Sequence, residues 1–307
     1  MRVVSLLPSA TEMLFALGVE PVGVSHECSY PPRARELPAV ISSRVDPDAS
    51  TTEINQQVAT AQERGGVYEI DRELLAELNP DVIVSQGICE VCAVDDAQIR
   101  QAVAELGLDA EIVTTDPHSL ADVFADIERL GRRLDCEDRA EAVLSELRER
   151  VRAIEAATPD PTAGPDVAVF DWLDPVMVAG HWMPGLIERA GGRCGLTSAG
   201  APSRPIEWSA VREHDPDVIV AAPCGFELER TLTEADDLSD RPGWAELTAV
   251  QNGRVYAMDG HEYANSPGPR LVDTLEFLAG IVHPGSYELP EPAVRSWPGL
   301  AAGRAAD

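Results

Sequence analysis

The stretch Asp81–Val94 reads DVIVSQGICEVCAV, and its two thiols, Cys89 and Cys92, stand three residues apart. Thiols at that spacing can turn toward one point, which suits a metal ion or a redox pair. Ahead of them Val82, Ile83 and Val84 form a β-branched run after Asn79-Pro80-Asp81. A run of that kind following a turn signal predicts a buried strand. The arrangement recurs along the chain. Val22–Ser25 leads into His26, Glu27 and Cys28, and Val167–Phe170 into Asp171 and Trp172. Val218–Ala221 leads to Cys224, and Val255–Met258 to His261, Glu262 and Tyr263. Ligands of an open α/β sheet bind beyond the carboxyl ends of its strands. The expectation is therefore two sheets whose strand ends face one cleft.

The candidate metal set is His26, Cys28, Cys89, Cys92 and Cys224. Thiolates with an imidazole suit zinc, or a soft contact to a cobalt or iron complex. The alternative is that each thiol fills space in a core, as free cysteines commonly do. Cys136 and Cys194 fall in helical or post-helical context and read as structural. Trp172 and Trp182 are candidates for stacking on a large flat ligand, with core packing as the alternative for both. His181 follows Ala179-Gly180 in an expected loop and is a candidate contact, while His118, His214 and His283 carry no signal. A thioredoxin-like pair would open a helix, whereas here the helix is expected to start at Asp95, after both thiols. The chain has no GxSxG, P-loop or GxGxxG motif. With no nucleophile–base constellation, binding is favoured over catalysis.

The elements that must position these residues follow from periodicity and breakers. Val3–Leu7 reads as a strand, and Ser9 with Glu12 has the spacing of a capping box closed by Gly18. Ser119–Ala156 reads as helix with a break near Leu134–Asp138, and its second part is charged and free of Gly and Pro. That part predicts a stiff connector. NPDVIV before one strand is echoed by DPDVIV at Asp215–Val220, which predicts two similar lobes. The expected division is residues 1–118, an α/β lobe; 119–164, the helical connector; 165–283, a second α/β lobe; and 284–307, a tail without a core face.

The net charge is −29, from 53 Asp+Glu against 24 Lys+Arg, and every one of those basic residues is Arg. A field this negative argues against nucleic acid and anionic membrane as partners, since both need basic patches. The acids are spread along the chain and read as a solvated shell of the kind carried by proteins of salt-loaded cytoplasm. The apolar run Val3–Leu7 ends at Pro8-Ser9, too short for a signal-peptide core or a membrane span. The expectation is a cytoplasmic chain without membrane insertion, or an extracytoplasmic one if the start is truncated.

The order of motifs resembles the substrate-binding proteins of ABC importers for cobalamin and iron chelates. The stretches are VSLLPSATEMLFALG, VGVSHECSYPP, ELNPDVIV, the long helix, GRVYAMDG and PGPRLVDTLEFLA, and they span about residues 1–282. The resemblance implies two α/β lobes joined by one rigid helix, with the ligand between them. It implies a cobalamin-like corrinoid or related metal chelate as ligand and no enzymatic activity. The PSATE turn matches the family's first ligand loop and puts Ser9 and Ala10 at the cleft. Glu27 or Cys28 stands near the family's ligand-contacting Tyr, with Tyr30 further on, and His261, Glu262 and Tyr263 correspond to its last cleft loop. Docking on a permease would use Glu73, but the second docking position is Ser209, with Glu207 only nearby. The four cysteines are not part of the usual cobalamin cleft. They leave a second reading open, a cytoplasmic zinc- or iron-binding or redox protein.

Overall fold

The computed structural model describes residues 1–88, 94, 96–158 and 160–298. They form two compact units: Met1–Pro117 with Ala121–Glu146, and His118–Leu120 with Leu147 onward.

Unit 1 opens with strand β1 (Val3–Ser5), helix α1 (Pro8–Ala16), β2 (Val24–Ser25), β3 (Ala39–Ser43), α2 (Thr51–Glu63), β4 (Tyr68–Ile70) and α3 (Arg72–Leu78). It continues with β5 (Val82–Gln86), α4 (Asp96–Leu106), β6 (Glu111–Thr115) and α5 (Leu120–Arg133). Strands β1, β5 and β6 pair in parallel in the order β1-β5-β6, and β2-β3-β4 form a second sheet. A parallel bridge between Val4 and Gly23 ties the two sheets together. Val82, Ile83 and Val84 of β5 are wholly buried, as their β-branched run predicts. Burying each such side chain is worth about 1.5–3 kcal/mol.

The capping box expected at Ser9–Glu12 is not formed. Pro8 takes the first helical position, where its missing N–H costs nothing, and the helix starts behind Leu7 with no side-chain cap. Ser9 and Glu12 are buried instead. Gly18 does end the helix. Its φ is +79°, its N–H donates to Phe15, and the Val19 N–H donates to Leu14, the two bonds of a Schellman turn.

Helix α6 (Glu137–Ala157) is a single 21-residue helix that starts in unit 1 and ends in unit 2. Its buried residues Ala140, Leu144, Leu147, Val151 and Ile154 repeat at three and four, one face of an α-helix. The expected connector 119–164 is thus not a separate body, because α5 lies wholly with unit 1 apart from Leu120.

Unit 2 contains β7 (Val167–Leu173), β8 (Val176–Val178), α7 (Met183–Arg189), β9 (Arg204–Pro205), α8 (Trp208–His214), β10 (Val218–Ala221), α9 (Leu228–Thr233) and α10 (Asp236–Ser239). After these come α11 (Thr248–Gln251), β11 (Val255–Met258), α12 (Leu271–Val282) and β12 (Val294–Ser296). The six strands order as β12-β11-β10-β7-β8-β9, with β7, β10 and β11 parallel at the centre. Strand β12 lies in the segment expected to be a tail. It pairs antiparallel with β11, and Trp297 behind it is 1% exposed, packed with Trp244 and Phe170 in the unit's core. Its apolar content is spread over so few residues that no periodicity marks it.

The echo NPDVIV/DPDVIV is one device used twice. Asn79 and Asp215 end α3 and α8 in the left-handed conformation, φ 38° and 51°, which short polar side chains tolerate. Proline then blocks further helix. The carboxylates of Asp81 and Asp217 accept the backbone N–H of Arg2 and Asp166, at 2.6 and 2.8 Å, just before β1 and β7. Each motif therefore fixes the start of the strand beside it.

Candidate functional site

The richest cluster is in unit 2, at the carboxyl ends of β7, β10 and β11. The last residues of β7 and the loops after β10 and β11 are laced together there by backbone bonds. Ala222 and Cys224 donate their N–H groups to the carbonyls of Phe170 and Asp171, at 2.8 and 2.9 Å. Gly260 and His261 both donate to the carbonyl of Phe226, at 3.0 and 3.1 Å. The Asn265 amide donates to the Ala222 carbonyl at 2.8 Å.

After β11 the chain makes a single π-helical turn, Gly260–Ala264, an uncommon form often found at functional sites. Asp259 caps it, its carboxylate accepting the Glu262 N–H at 2.7 Å. Burial raises the Asp259 carboxyl above its ordinary range, more than that bond and the one from Leu228 lower it. Gly260 is required here. A Cβ at that position would lie 2.0 Å from the Pro223 carbonyl oxygen.

This frame presents half-buried side chains: Asp171, Trp172, Cys224, His261, Glu262 and Tyr263. Trp172 packs against Phe226, ring centroids 5.3 Å apart, and the Arg230 guanidinium covers Phe226 at 4.6 Å. Arg270, buried, binds Glu262 at 3.0 Å and lies 5.0 Å from the Tyr263 ring, which meets Phe277 edge-on. The result is a fixed surface of aromatic faces and polar tips, chemically suited to a broad, partly polar ligand. Phe226, Arg230 and Asn265 belong to it without having been singled out from sequence. Their only signal is closeness to Cys224 and Tyr263.

The two tryptophans separate. Trp182 is 8% exposed, and its indole N–H donates to the Ala264 carbonyl at 2.9 Å, so it supports the π-helical turn from beneath. His181 is half-buried with φ +51°, its Nδ1 3.1 Å from Nδ1 of His118.

In unit 1 Ser9 and Ala10 lie in the first turn of α1 and are buried. Glu27 accepts the Tyr68 hydroxyl at 3.2 Å, and His26 places Nδ1 3.1 Å from the Ile41 carbonyl. Tyr30 is 43% exposed. Cys28 is the clearest departure from the expected metal set. It is 2% exposed, packed with Val24, Ala34, Phe15 and Leu37, and its Sγ lies 3.1 Å from the Thr11 hydroxyl. Burial is the main reason its pKa is pushed up to about 12, with Glu27 and Glu12 adding to the rise. A thiol held protonated in this way is a poor metal ligand. Cys89 and Cys92 lie outside the described residues. Among the described residues no group of three or more His, Cys, Asp and Glu is placed to hold a metal ion. The burial of Cys28 therefore gives no support to a zinc or redox centre at that thiol.

Two α/β units sharing one long helix, with a fixed aromatic and polar surface at strand ends, define a ligand receptor of the two-lobed binding-protein class. The chain belongs to the periplasmic binding protein family, whose model matches residues 3–262. It is 22% identical over 299 residues to an uncharacterized ABC transporter substrate-binding lipoprotein, YvrC of Bacillus subtilis, covering 94% of this chain and 81% of that protein. It is 25% identical over 281 residues to the vitamin B12-binding protein of Vibrio cholerae, covering 90% of this chain and 86% of that one. Its fold is similar to that of a periplasmic heme-binding protein from Pseudomonas aeruginosa, with a TM-score of 0.73, 22% identity and 98% and 99% of the two chains covered. The fold is thus the class III periplasmic-binding-protein type. The chain is a non-enzymatic, ABC-type substrate-binding protein. The expectation of a cytoplasmic chain is overturned, because the family and these relatives are periplasmic or lipoprotein binding proteins. No helix among the described residues is long and apolar enough to cross a membrane.

Proposed function

We propose that the protein binds a corrinoid of the cobalamin type for an ABC importer. The observation that carries this reading is the half-buried row Trp172, His261, Glu262 and Tyr263 on the locked strand ends of unit 2. A macrocycle with amide-bearing edges needs such a surface: aromatic area for its flat body and polar tips for its rim. The relative described as a vitamin B12-binding protein supports the cargo, and the similarity to a heme-binding fold supports the size class. His181 is a further proposed contact on unit 2, and Glu27 and Tyr30 are proposed ligand contacts of unit 1 taken by itself. Glu73, exposed on α3, is the proposed permease-docking carboxylate, with Glu207, exposed before α8, as its counterpart in place of Ser209.

The test is titration of cobalamin, cobinamide, heme and a ferric siderophore at high salt, followed by tryptophan fluorescence. Saturable 1:1 binding of a corrinoid, at least tenfold weaker in Trp172→Ala, is the expected result. Saturable binding of heme or the siderophore with no response to either corrinoid would replace the cargo.

A further inference from the structure

His118 follows β6 by three residues, and His181 follows β8 by three. Sixty-three positions separate them, yet their Nδ1 atoms share a hydrogen bond of 3.1 Å, which an ion would replace, with ring centroids at 5.2 Å. Both rings are half-buried. The loop that carries His181 is tightly held. Its backbone is left-handed, φ +51°, a conformation unfavourable for a non-glycine residue. Its carbonyl accepts the Gly200 N–H at 2.9 Å, and Gly180 before it has no room for a Cβ, which would lie 2.2 Å from the Ala201 carbonyl oxygen. The Trp182 ring lies 5.7 Å from the imidazole. The nitrogen pair is thus held by a fixed loop on the His181 side.

We propose that His118 and His181 are neighbouring ligands of one divalent transition-metal ion. Imidazole nitrogen bonds such ions at about 2.1 Å, so a 3.1 Å separation subtends an angle of about 95° at the metal. That bite matches two adjacent positions of an octahedral or distorted tetrahedral centre. Ions that favour imidazole, such as nickel and cobalt, accept this geometry, with water in the remaining positions. The bite does not fit the metal of a corrinoid or heme. A macrocycle fills the equatorial positions and leaves two on opposite faces, never two side by side. The ion is therefore not the metal of the proposed corrinoid, although His181 is also a proposed contact of that ligand, and the occupant of the pair is a bare ion. The chain's charge of −29 raises the local concentration of any cation. By bridging the rings, the ion would pin the segment after β6 to the β8–α7 loop.

The test uses the full chain with a non-metal-binding reductant and magnesium in large excess, to occupy surface carboxylates. Cobalt(II) and nickel(II) chloride are titrated by calorimetry and by cobalt absorption. The expected result is one ion per chain, bound at least tenfold more weakly by His118→Gln and by His181→Gln. Binding that is unchanged in the double variant, or that magnesium abolishes in the wild type, overturns the proposal. Should a variant fail to fold, the wild-type cobalt complex decides by proton NMR. Two strongly shifted, exchangeable imidazole N–H signals support the assignment, and their absence refutes it. Corrinoid titration of the same variants is scored separately, so loss of either reading leaves the other standing.

Discussion

Cys28 offers a direct check on the physics of the buried thiol. Its side chain is sealed by Val24, Ala34 and Phe15, and its pKa is pushed from 9.0 up to about 12, chiefly by burial. Hydrogen bonding to Thr11 works in the opposite direction and does not win. The sign follows from linkage. The native state holds the proton and the unfolded chain releases it above pH 9, so raising the pH favours unfolding. The contribution is intact below pH 9, falls between pH 9 and about 12, and is fully lost at the upper end. Each pKa unit is worth about 1.4 kcal/mol, so at pH 10.5 the loss is about 2 kcal/mol. The perturbation is alkali, applied in parallel to the wild type and to Cys28→Ala. Urea denaturation at pH 7.5, 9 and 10.5 and constant high salt gives both stabilities, and their difference removes every other titrating group. The wild type should lose about 2 kcal/mol more than the variant between pH 7.5 and 10.5. Alkylation followed by mass spectrometry should leave Cys28 unmodified in the native state while Cys224, half-exposed, reacts. Equal pH slopes for the two chains, or Cys28 labelling as fast as Cys224, would refute the reasoning and reopen the thiolate reading.

Three further outcomes follow from single features. Trp297→Ala should cost about 3–5 kcal/mol in urea denaturation, since the ring is fully buried and its indole bonds Ser239; a loss below 1 kcal/mol would return residues 284–307 to tail status. Gly260→Ala should abolish corrinoid binding, because the new methyl meets the Pro223 carbonyl and shifts the turn that holds His261–Tyr263; unchanged affinity would show that the turn does not shape the site. Lowering salt from about 1 M to about 0.1 M lengthens screening from about 3 to about 10 Å, so the urea midpoint should fall as the acidic shell repels itself; a rising midpoint contradicts that reading.

Much of the fold was legible because its strongest signals are local. Val82–Val84 and Val218–Val220 are short β-branched runs behind the same helix–proline–aspartate device, and both became central parallel strands. Helix α6 was legible because a long stretch without Gly or Pro keeps one apolar stripe. Strands β3, β4, β8, β9 and β12 were not read, since they are short and largely antiparallel or at sheet edges. Partners distant in sequence define them, as when Tyr256 meets Ser296. Unit boundaries failed for the same reason. Which sheet α5 covers is decided by packing, not by its own pattern.

The site divides along the same line. Strand ends can be named from sequence, so Trp172, His261, Glu262 and Tyr263 stand out together as proposed contacts. What could not be read is which of two similar residues a loop turns outward. Trp172 and Trp182 are ten residues apart and identical in type. One ends a central parallel strand and keeps part of its face exposed; the other precedes α7 and is fastened to the Ala264 carbonyl beneath the turn. Ser9 failed more subtly. Its spacing to Glu12 satisfies a capping box, but Pro8 starts the helix two positions earlier and carries the serine into the buried face. His118 had no pattern at all, because the group that gives it meaning is an imidazole 63 residues away. Chemistry made by one element can be read in sequence, whereas chemistry made by the meeting of two loops becomes visible only once the chain has folded.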